Sequence, residues 1–242
     1  MVRKPPNSEE ERRLKALAEY RILGTQPEQC YDDITSIASL VCGTPISLMS
    51  LVDKDRQWFK SVRGLETRET VRDVSFCSHA ILEGEPLIVE DALLDDRFKE
   101  NPLVTEDPRI RLYAGFPLET FQNNRIGTLC VIDSKPGYLT QKQQQIMKAL
   151  SRQVVCLLEL RKRSLKLVDA LTALHKNEGI ISTCSYCKEV KDNEGKWLHL
   201  EKYLSKNSDI RFSHGICDKC MEEYFPDVLE VWTSKEKKIT TN

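Results

Sequence analysis

The stretch that decides the fold is ISLMSLVDKDRQWFKSV, Ile46–Val62. Ile46 to Val52 is a mostly apolar run with branched side chains, the pattern of a buried strand. Asp53-Lys54-Asp55 is turn chemistry. Gln57 to Val62 alternates enough to be the hairpin partner, led by Trp58 and Phe59. Upstream, Ser8 and Glu11 have capping-box spacing for a charged helix to about Tyr20. Gly24-Thr25-Gln26-Pro27 breaks it. A second helix, about Glu28 to Val41, places Ile34, Ile37, Ala38 and Val41 on one face.

Downstream, Phe76 to Leu82 reads as a short helix capped by Ser75. Pro86 to Val89 reads as an edge strand, because a proline at its start suits an edge. Asp91 to Asp107 is polar and loop-like. Leu112 to Thr120 and Ile126 to Ile132 are two further strands, joined at the turn residues Asn123 and Asn124. Gln141 to Lys176 then holds no Gly and no Pro. Thr140, with Gln143 three residues on, predicts its N-cap. The order predicts an α+β sandwich around one central antiparallel sheet, closed by a long helix.

Ile146, Leu150, Gln153, Leu157, Leu160, Ser164, Leu167, Leu171 and Leu174 form a heptad seam along that helix, seven of the nine being apolar. At about 36 residues it would span roughly 54 Å, more than one small domain needs. The expectation is a core helix that continues as the coiled-coil seam of a parallel homodimer, with Leu167, Leu171 and Leu174 lacking intrachain partners. Arg161-Lys162-Arg163 is expected to be a solvated flank of that seam.

The chain has 242 residues, 40% apolar and 30% charged, with a formal net charge of -1. That composition marks a soluble globular protein of one large or two smaller domains. It provides no global basic field for nucleic acid or an anionic membrane. No apolar run approaches the roughly 20 residues of a membrane span. The charged first thirteen residues lack the apolar stretch of an export signal, which predicts a cytoplasmic protein with reduced thiols. Of the nine cysteines, Cys30, Cys42, Cys77, Cys130 and Cys156 are scattered and read as small buried hydrophobes.

The other four are two CxxC pairs, Cys184 with Cys187 and Cys217 with Cys220. Four soft thiolates suit tetrahedral zinc, and a module of about 50 residues needs such a staple. His214 is an alternative ligand. Trp197 to Asn207 reads as a short helix with Leu200, Tyr203 and Leu204 inward, and the second CxxC pair is expected to open another helix. Between Cys184 and Trp232 there are ten acidic residues against seven basic, so a protein partner is expected there rather than DNA. Residues 233–242 read as a frayed polar tail.

Five blocks of this sequence resemble a bacterial GAF domain: YRILGTQPE (Tyr20–Glu28), CGTPI (Cys42–Ile46), LVDKDRQWFKS (Leu51–Ser61), SFCSHAI (Ser75–Ile81) and GTLCVID (Gly127–Asp133). The resemblance covers roughly residues 9 to 163. It implies a sensor of a small molecule or a protein, dimeric through terminal helices, with no particular ligand specified. The cyclic-nucleotide signature of phosphodiesterase GAF domains is not evident. Cys77-Ser78-His79 departs from the adjacent Cys and His of bilin-binding members. CSYCK (Cys184–Lys188), DNEGKW (Asp192–Trp197) and FSHGICDKC (Phe212–Cys220) resemble a cysteine-rich tail found after receiver, PAS or GAF domains.

The expected architecture is therefore a GAF sensor over 1–163, a signalling helix over 141–177 that overlaps its end, and a zinc module over 180–232. Trp58, Phe59, His79, Asp91, Arg97 and Tyr113 are the candidate ligand-binding residues; as structural residues, Trp58 and Phe59 would be core and Asp91 a turn cap. The expected function is signal transduction to a partner such as a kinase or regulator. No catalytic output is expected in the chain, since nothing resembles a kinase, a cyclase or a P-loop. Two alternatives remain: a thiol-dependent enzyme like the GAF reductases of free methionine sulfoxide, and a transcriptional regulator using the zinc module on DNA.

Overall fold

The computed structural model describes residues 7–174, 181–207 and 211–225. It divides into two compact units, 1–178 and 179–242. The first is built on a six-stranded sheet: β1 (Ile46–Val52), β2 (Arg56–Arg63), β3 (Glu69–Val71), β4 (Leu87–Val89), β5 (Leu112–Glu119) and β6 (Arg125–Asp133). The spatial order is β3-β2-β1-β6-β5-β4. Every neighbouring pair is antiparallel. β1 lies near the middle and is buried along its whole length, as its unbroken apolar run predicts. β4 is an edge strand, which leaves Pro86 outside the ladder. β3 and the 3-10 turn Arg72–Val74 that follows it have no periodic signal in the sequence.

Helices cover both faces. α1 (Asn7–Glu19), α2 (Gln29–Cys42) and α5 (Gln141–Leu174) lie on one. There Leu17, Tyr31, Ile34, Ala38, Met147, Val154 and Leu158 pack on Met49, Leu51, Trp58, Ala114 and Leu129. α3 (Phe76–Glu83), the segment after β4 and the one-turn α4 (Pro102–Thr105) lie on the other. There Phe76, Cys77, Ala80, Phe98 and Ile110 pack on Leu48, Phe59, Tyr113, Cys130 and Ile132. The expected caps form. Ser75 Oγ accepts from Ser78 N at 3.1 Å. Thr140 N donates to Gln143 Oε1 at 2.9 Å, and Gln143 N donates back to Thr140 Oγ1 at 3.3 Å.

The inward face of α2 is rotated from the expected one. Tyr31, Ile34, Thr35, Ala38 and Ser39 are buried, whereas Ile37 is exposed. The polar pair Thr35 and Ser39 turns inward because each finds a partner. Thr35 Oγ1 meets Ser61 Oγ at 2.7 Å, and Ser39 Oγ donates to Thr44 O at 2.6 Å. α1 is held by charge as well as by Leu17. Glu10 Oε1 lies 2.6 Å from Arg13 and 2.5 Å from Arg72. Burial acts to raise the Glu10 pKa, but the hydrogen bonds from the two guanidinium groups outweigh it and hold it at about 2.

On α5 the heptad seam and the core face differ. Met147, Val154, Val155 and Leu158 enter the core, while Ile146, Leu160 and Leu167 are exposed. Two expectations fail here. Leu171 is only 7% exposed, so it does not stand bare on the helix. Arg161 and Lys162 are not a solvated flank. Arg161 donates to Tyr20 O at 2.9 Å and to Glu28 Oε1 at 3.1 Å, and Lys162 Nζ lies 2.6 Å from Glu19. The chain from the end of α1 to the start of α2 supplies the carbonyls and carboxylates that this basic run needs. Among the described residues, no helix is long and apolar enough to cross a membrane.

The second unit is small. Its hairpin pairs β7 (Val190–Lys191) with β8 (Trp197–Leu198). Asp192 closes the turn, Oδ1 accepting from Glu194 N at 3.0 Å and from Lys196 N at 2.9 Å. α6 (Leu200–Asn207) starts later than expected because Trp197 and Leu198 belong to the strand; α7 (Asp218–Tyr224) has Cys217 at its N-cap, so the second CxxC pair opens a helix as expected. Residues 1–6, the side chain of Leu174, the end of the long helix at 175–177, the end of the zinc module at 226–232 and the tail at 233–242 lie outside the described residues.

Candidate functional site

The first unit holds a cavity of about 600 Å³ on the α3 face of the sheet, within the size range of small-molecule sites. β1 and β2 supply Leu48, Gln57 and Phe59. The connection to β3 supplies Leu65 and Glu66, α3 supplies Phe76 and Cys77, and β5 supplies Tyr113. The walls are largely aromatic and aliphatic. Phe76 stacks on Phe98 at 4.0 Å and tilts against Tyr113 at 5.0 Å, which fixes both rings that face the space. Thr70 lines the cavity, and its Oγ1 has no hydrogen-bond partner. Glu66 and Asp107 are the ionisable carboxylates in the lining; no Lys or Arg is among its described residues.

Tyr113 sits where it does because position 115 is glycine. A Cβ on Gly115 would come within 2.2 Å of the Tyr113 hydroxyl. That hydroxyl instead lies over the sheet and donates to Cys77 Sγ at 3.3 Å. Burial and the neighbouring thiols push the Tyr113 pKa well up, so it stays a neutral donor.

Two of the six candidate ligand residues, Phe59 and Tyr113, line this cavity. Trp58 does not: it belongs to the opposite core with Leu51 and Met49. Adjacent residues on a strand point to opposite faces, so Trp58 and Phe59 cannot share a pocket. His79 and Arg97 line a separate, more polar cleft with Glu83 and Asn101. Arg97 is held there by Asp95 and Glu83, both at 2.8 Å, while His79 meets Phe98 edge-on at 4.9 Å. Burial, then the Arg97 charge, lower the His79 pKa. Asp91 is a turn cap, accepting from Leu93 N at 3.1 Å and pairing with Arg111 at 2.6 Å. Among the lining residues that sequence reasoning missed, Leu65, Glu66 and Thr70 lie in the aperiodic segment after β2.

One polar assembly joins the sheet to α5. The β1–β2 pairing slips between Met49 and Ser50, leaving Lys60 as the extra residue of a bulge, aimed at α2. The Lys60 side chain is 0% exposed and lies 2.6 Å from Glu28. It also donates to Thr25 Oγ1 at 2.8 Å and to Gln26 O at 2.7 Å. Burial lowers its pKa and Glu28 opposes that shift. Glu28 Oε1 is shared with Arg161 of α5. Phe59, next to Lys60, faces the cavity, so one short length of β2 connects the cavity wall to the polar assembly at α5.

In the second unit, Cys184 and Cys187 interact through their thiols, as do Cys217 and Cys220. Backbone N–H groups of Cys187, Tyr186 and Lys188 point at the Cys184 sulfur and lower its pKa. Those of Cys220, Cys217 and Lys219 do the same at Cys217. At Cys187 a backbone hydrogen bond from Glu189 acts to lower the pKa, but the Cys184 thiol and burial outweigh it and raise it, so within that pair Cys184 is the more readily ionised thiol. Among the described residues, no three His, Cys, Asp or Glu side chains gather as a metal site. His214 lies against Glu201 at 3.5 Å.

A helix-flanked antiparallel sheet with an internal, mostly apolar cavity and a long closing helix defines a sensory domain of bacterial signalling proteins. The chain belongs to the GAF domain family, whose model matches residues 26–157. It is 38% identical over 173 residues to a Pseudomonas aeruginosa protein named as a cyclic di-GMP phosphodiesterase. That match takes in 71% of this chain and 29% of that protein, so the chain spans less than a third of its relative. The GAF domain of an Acinetobacter phosphoenolpyruvate-protein phosphotransferase is 13% identical with a TM-score of 0.45, over 64% of this chain and 95% of that one. The chromophore-binding domain of an R. palustris bacteriophytochrome is 8% identical with a TM-score of 0.49, over 67% and 64%. The expectation that the chain is not an enzyme is overturned by the Pseudomonas relative, whose name is that of an enzyme.

Proposed function

We propose that this chain is a sensory part of cyclic di-GMP turnover. A small molecule enters the GAF cavity, and its occupancy is passed through Lys60, Glu28 and Arg161 to α5, which sets a phosphodiesterase activity. The observation that carries this reading is the cavity next to that polar joint; the 38% identity to the Pseudomonas enzyme supports the output. The lining limits the ligand. With aromatic walls, one unpartnered Thr70 hydroxyl and the carboxylates Glu66 and Asp107, it suits a compact neutral or cationic molecule. Cyclic di-GMP itself carries two phosphates and would meet no basic side chain there. Cyclic di-GMP is thus the molecule turned over, and a different one is sensed. Filling the space with Thr70→Trp should change the cyclic di-GMP content of cells expressing the protein at least about twofold, the scale of a shift of about 0.4 kcal/mol in a two-state equilibrium. An unchanged content in cells making equal amounts of folded variant would refute the link.

Zinc on Cys184, Cys187, Cys217 and Cys220 is part of the same reading, as the staple of a unit that contacts a signalling protein. Binding would have to draw the two pairs together, which couples the metal to folding. The homodimer is proposed on the exposed row Ile146, Leu160 and Leu167, of which Leu160 is 58% and Leu167 49% exposed. Changing both Leu160 and Leu167 to Glu should put like charges across the seam and weaken association at least about tenfold in sedimentation at micromolar protein. An unmodified protein that sediments as a monomer would contradict the dimer.

A further inference from the structure

Two of the scattered cysteines are neighbours. Cys77, the second residue of α3, and Cys130, on β6, bring their sulfurs to 4.0 Å. Both are buried at 1% exposure or less. Their surroundings are not those of inert core thiols. Tyr113 donates to Cys77 Sγ, and the buried hydroxyls of Ser50 and Thr128 have no hydrogen-bond partner. These hydroxyls sit on β1 and β6 at paired positions, beneath the two sulfurs. Cys77 also forms part of the cavity wall, so a small molecule in the cavity lies against this residue. Cys130 is not in the lining and lies behind it.

We propose that Cys77 and Cys130 form a redox site, in which a small hydroperoxide entering the cavity oxidises the pair to a disulfide. Cys77 is the attacking thiol and Cys130 the resolving one. The Cys77 sulfur attacks the terminal oxygen of the hydroperoxide. The O–O bond breaks, the alcohol or water leaves with the proton that Cys77 gave up, and Cys77 holds a sulfenic acid. The Cys130 sulfur then attacks the Cys77 sulfur. The S–O bond breaks, and the oxygen leaves as water with the Cys130 proton. Two thiols and one hydroperoxide become one disulfide, one alcohol and one water; when the oxidant is hydrogen peroxide, both small products are water. A thiol reductant restores the pair by exchange.

The electrostatics divide the two roles in the same way. Burial acts against a Cys77 anion, but the Cys130 thiol and the Thr128, Tyr113 and Ser50 hydroxyls around it outweigh burial and hold its pKa below that of an ordinary thiol. Cys130, facing that anion and buried, is pushed well up and keeps its proton until the second step. Closing the bond brings the sulfurs from 4.0 Å to the roughly 2.05 Å of a disulfide. The start of α3 is thereby drawn toward β6, and α3 carries the cavity residues Phe76 and Cys77. Oxidation therefore reshapes the cavity. This inference does not depend on which molecule the cavity otherwise holds or on what activity it controls.

The test is peptide mapping of the reduced full chain after treatment with a small molar excess of hydrogen peroxide. Free thiols are blocked with N-ethylmaleimide under denaturing acid quench before digestion with trypsin. The expected product joins the peptide 73–97, carrying Cys77, to the peptide 126–142, carrying Cys130, with the loss of two hydrogens. Cys130→Ser should trap Cys77 as a sulfenic acid that reacts with dimedone. The mapping of the unmodified chain stands alone if a variant fails to fold. The proposal is overturned if Cys77 and Cys130 both keep the maleimide while the CxxC pairs oxidise. It is also overturned if Cys77 oxidises without bonding to Cys130.

Discussion

Replacing Glu28 with Gln is expected to destabilise the first unit by about 3–5 kcal/mol, the cost of removing one partner from a buried ion pair. The Lys60 ammonium is wholly enclosed and keeps only Thr25 and Gln26 as neutral acceptors. Arg161, whose side chain is 10% exposed, loses the same carboxylate. The substituted amide could accept a hydrogen bond from either cation but could not balance two charges. The change should lower the urea midpoint with little effect on the slope. Because Arg161 is then held only by the carbonyls of Tyr20 and Arg21, amide exchange over the middle of α5 should also rise. Combining Glu28→Gln with Lys60→Met should recover much of the loss, since the uncompensated buried cation is removed along with its partner. A Glu28→Gln protein within about 0.5 kcal/mol of the unmodified one, the range of an ordinary surface change, would mean that the joint neither holds α5 nor conveys anything to it.

Removing zinc should unfold the second unit and leave the first intact. Among the described residues of that unit, Val190 and Leu204 are the buried apolar ones, while Trp197, Phe212 and Ile216 are between 41% and 50% exposed. So thin a core cannot offset the chain entropy of several tens of residues. A structural zinc of four thiolates supplies roughly 10 kcal/mol or more of apparent binding energy. Protein purified without chelator should carry one zinc per chain. Chelation or Cys217→Ser should abolish amide protection from residue 181 onward, while the strands of the first unit keep theirs. Metal-free protein with a protected β7–β8 hairpin would rule the staple out.

The sheet apart from β3 was legible because Ile46–Val52 is an uninterrupted apolar run and because the turn residues between the strands are explicit. The caps at Ser75 and Thr140 were legible because each is a local pairing. The cavity was legible only in part. Phe59 and Tyr113 reach it, but the alternation of a strand already forbade Trp58 beside Phe59, and sequence spacing alone gave that warning. Leu65 and Thr70 carry no period. Arg161 and Lys162 looked solvated, as the exposed Arg163 is, because their partners, Glu19, Glu28 and two backbone carbonyls, lie more than 130 residues upstream. Cys77 and Cys130 looked unrelated for the same reason: the packing of α3 across β6 brings them together, and no local pattern encodes it.

The central claim is that the cavity lined by Leu48, Phe59, Thr70 and Tyr113 is a ligand site. Native mass spectrometry of the full chain, incubated with an extract of small metabolites and desalted, tests it most directly. The account predicts a bound adduct of one compact organic molecule per GAF domain that is neutral or cationic at neutral pH, and predicts its loss in the folded Thr70→Trp protein. An adduct-free protein in every extract tried, or an adduct that Thr70→Trp retains in full, would contradict it.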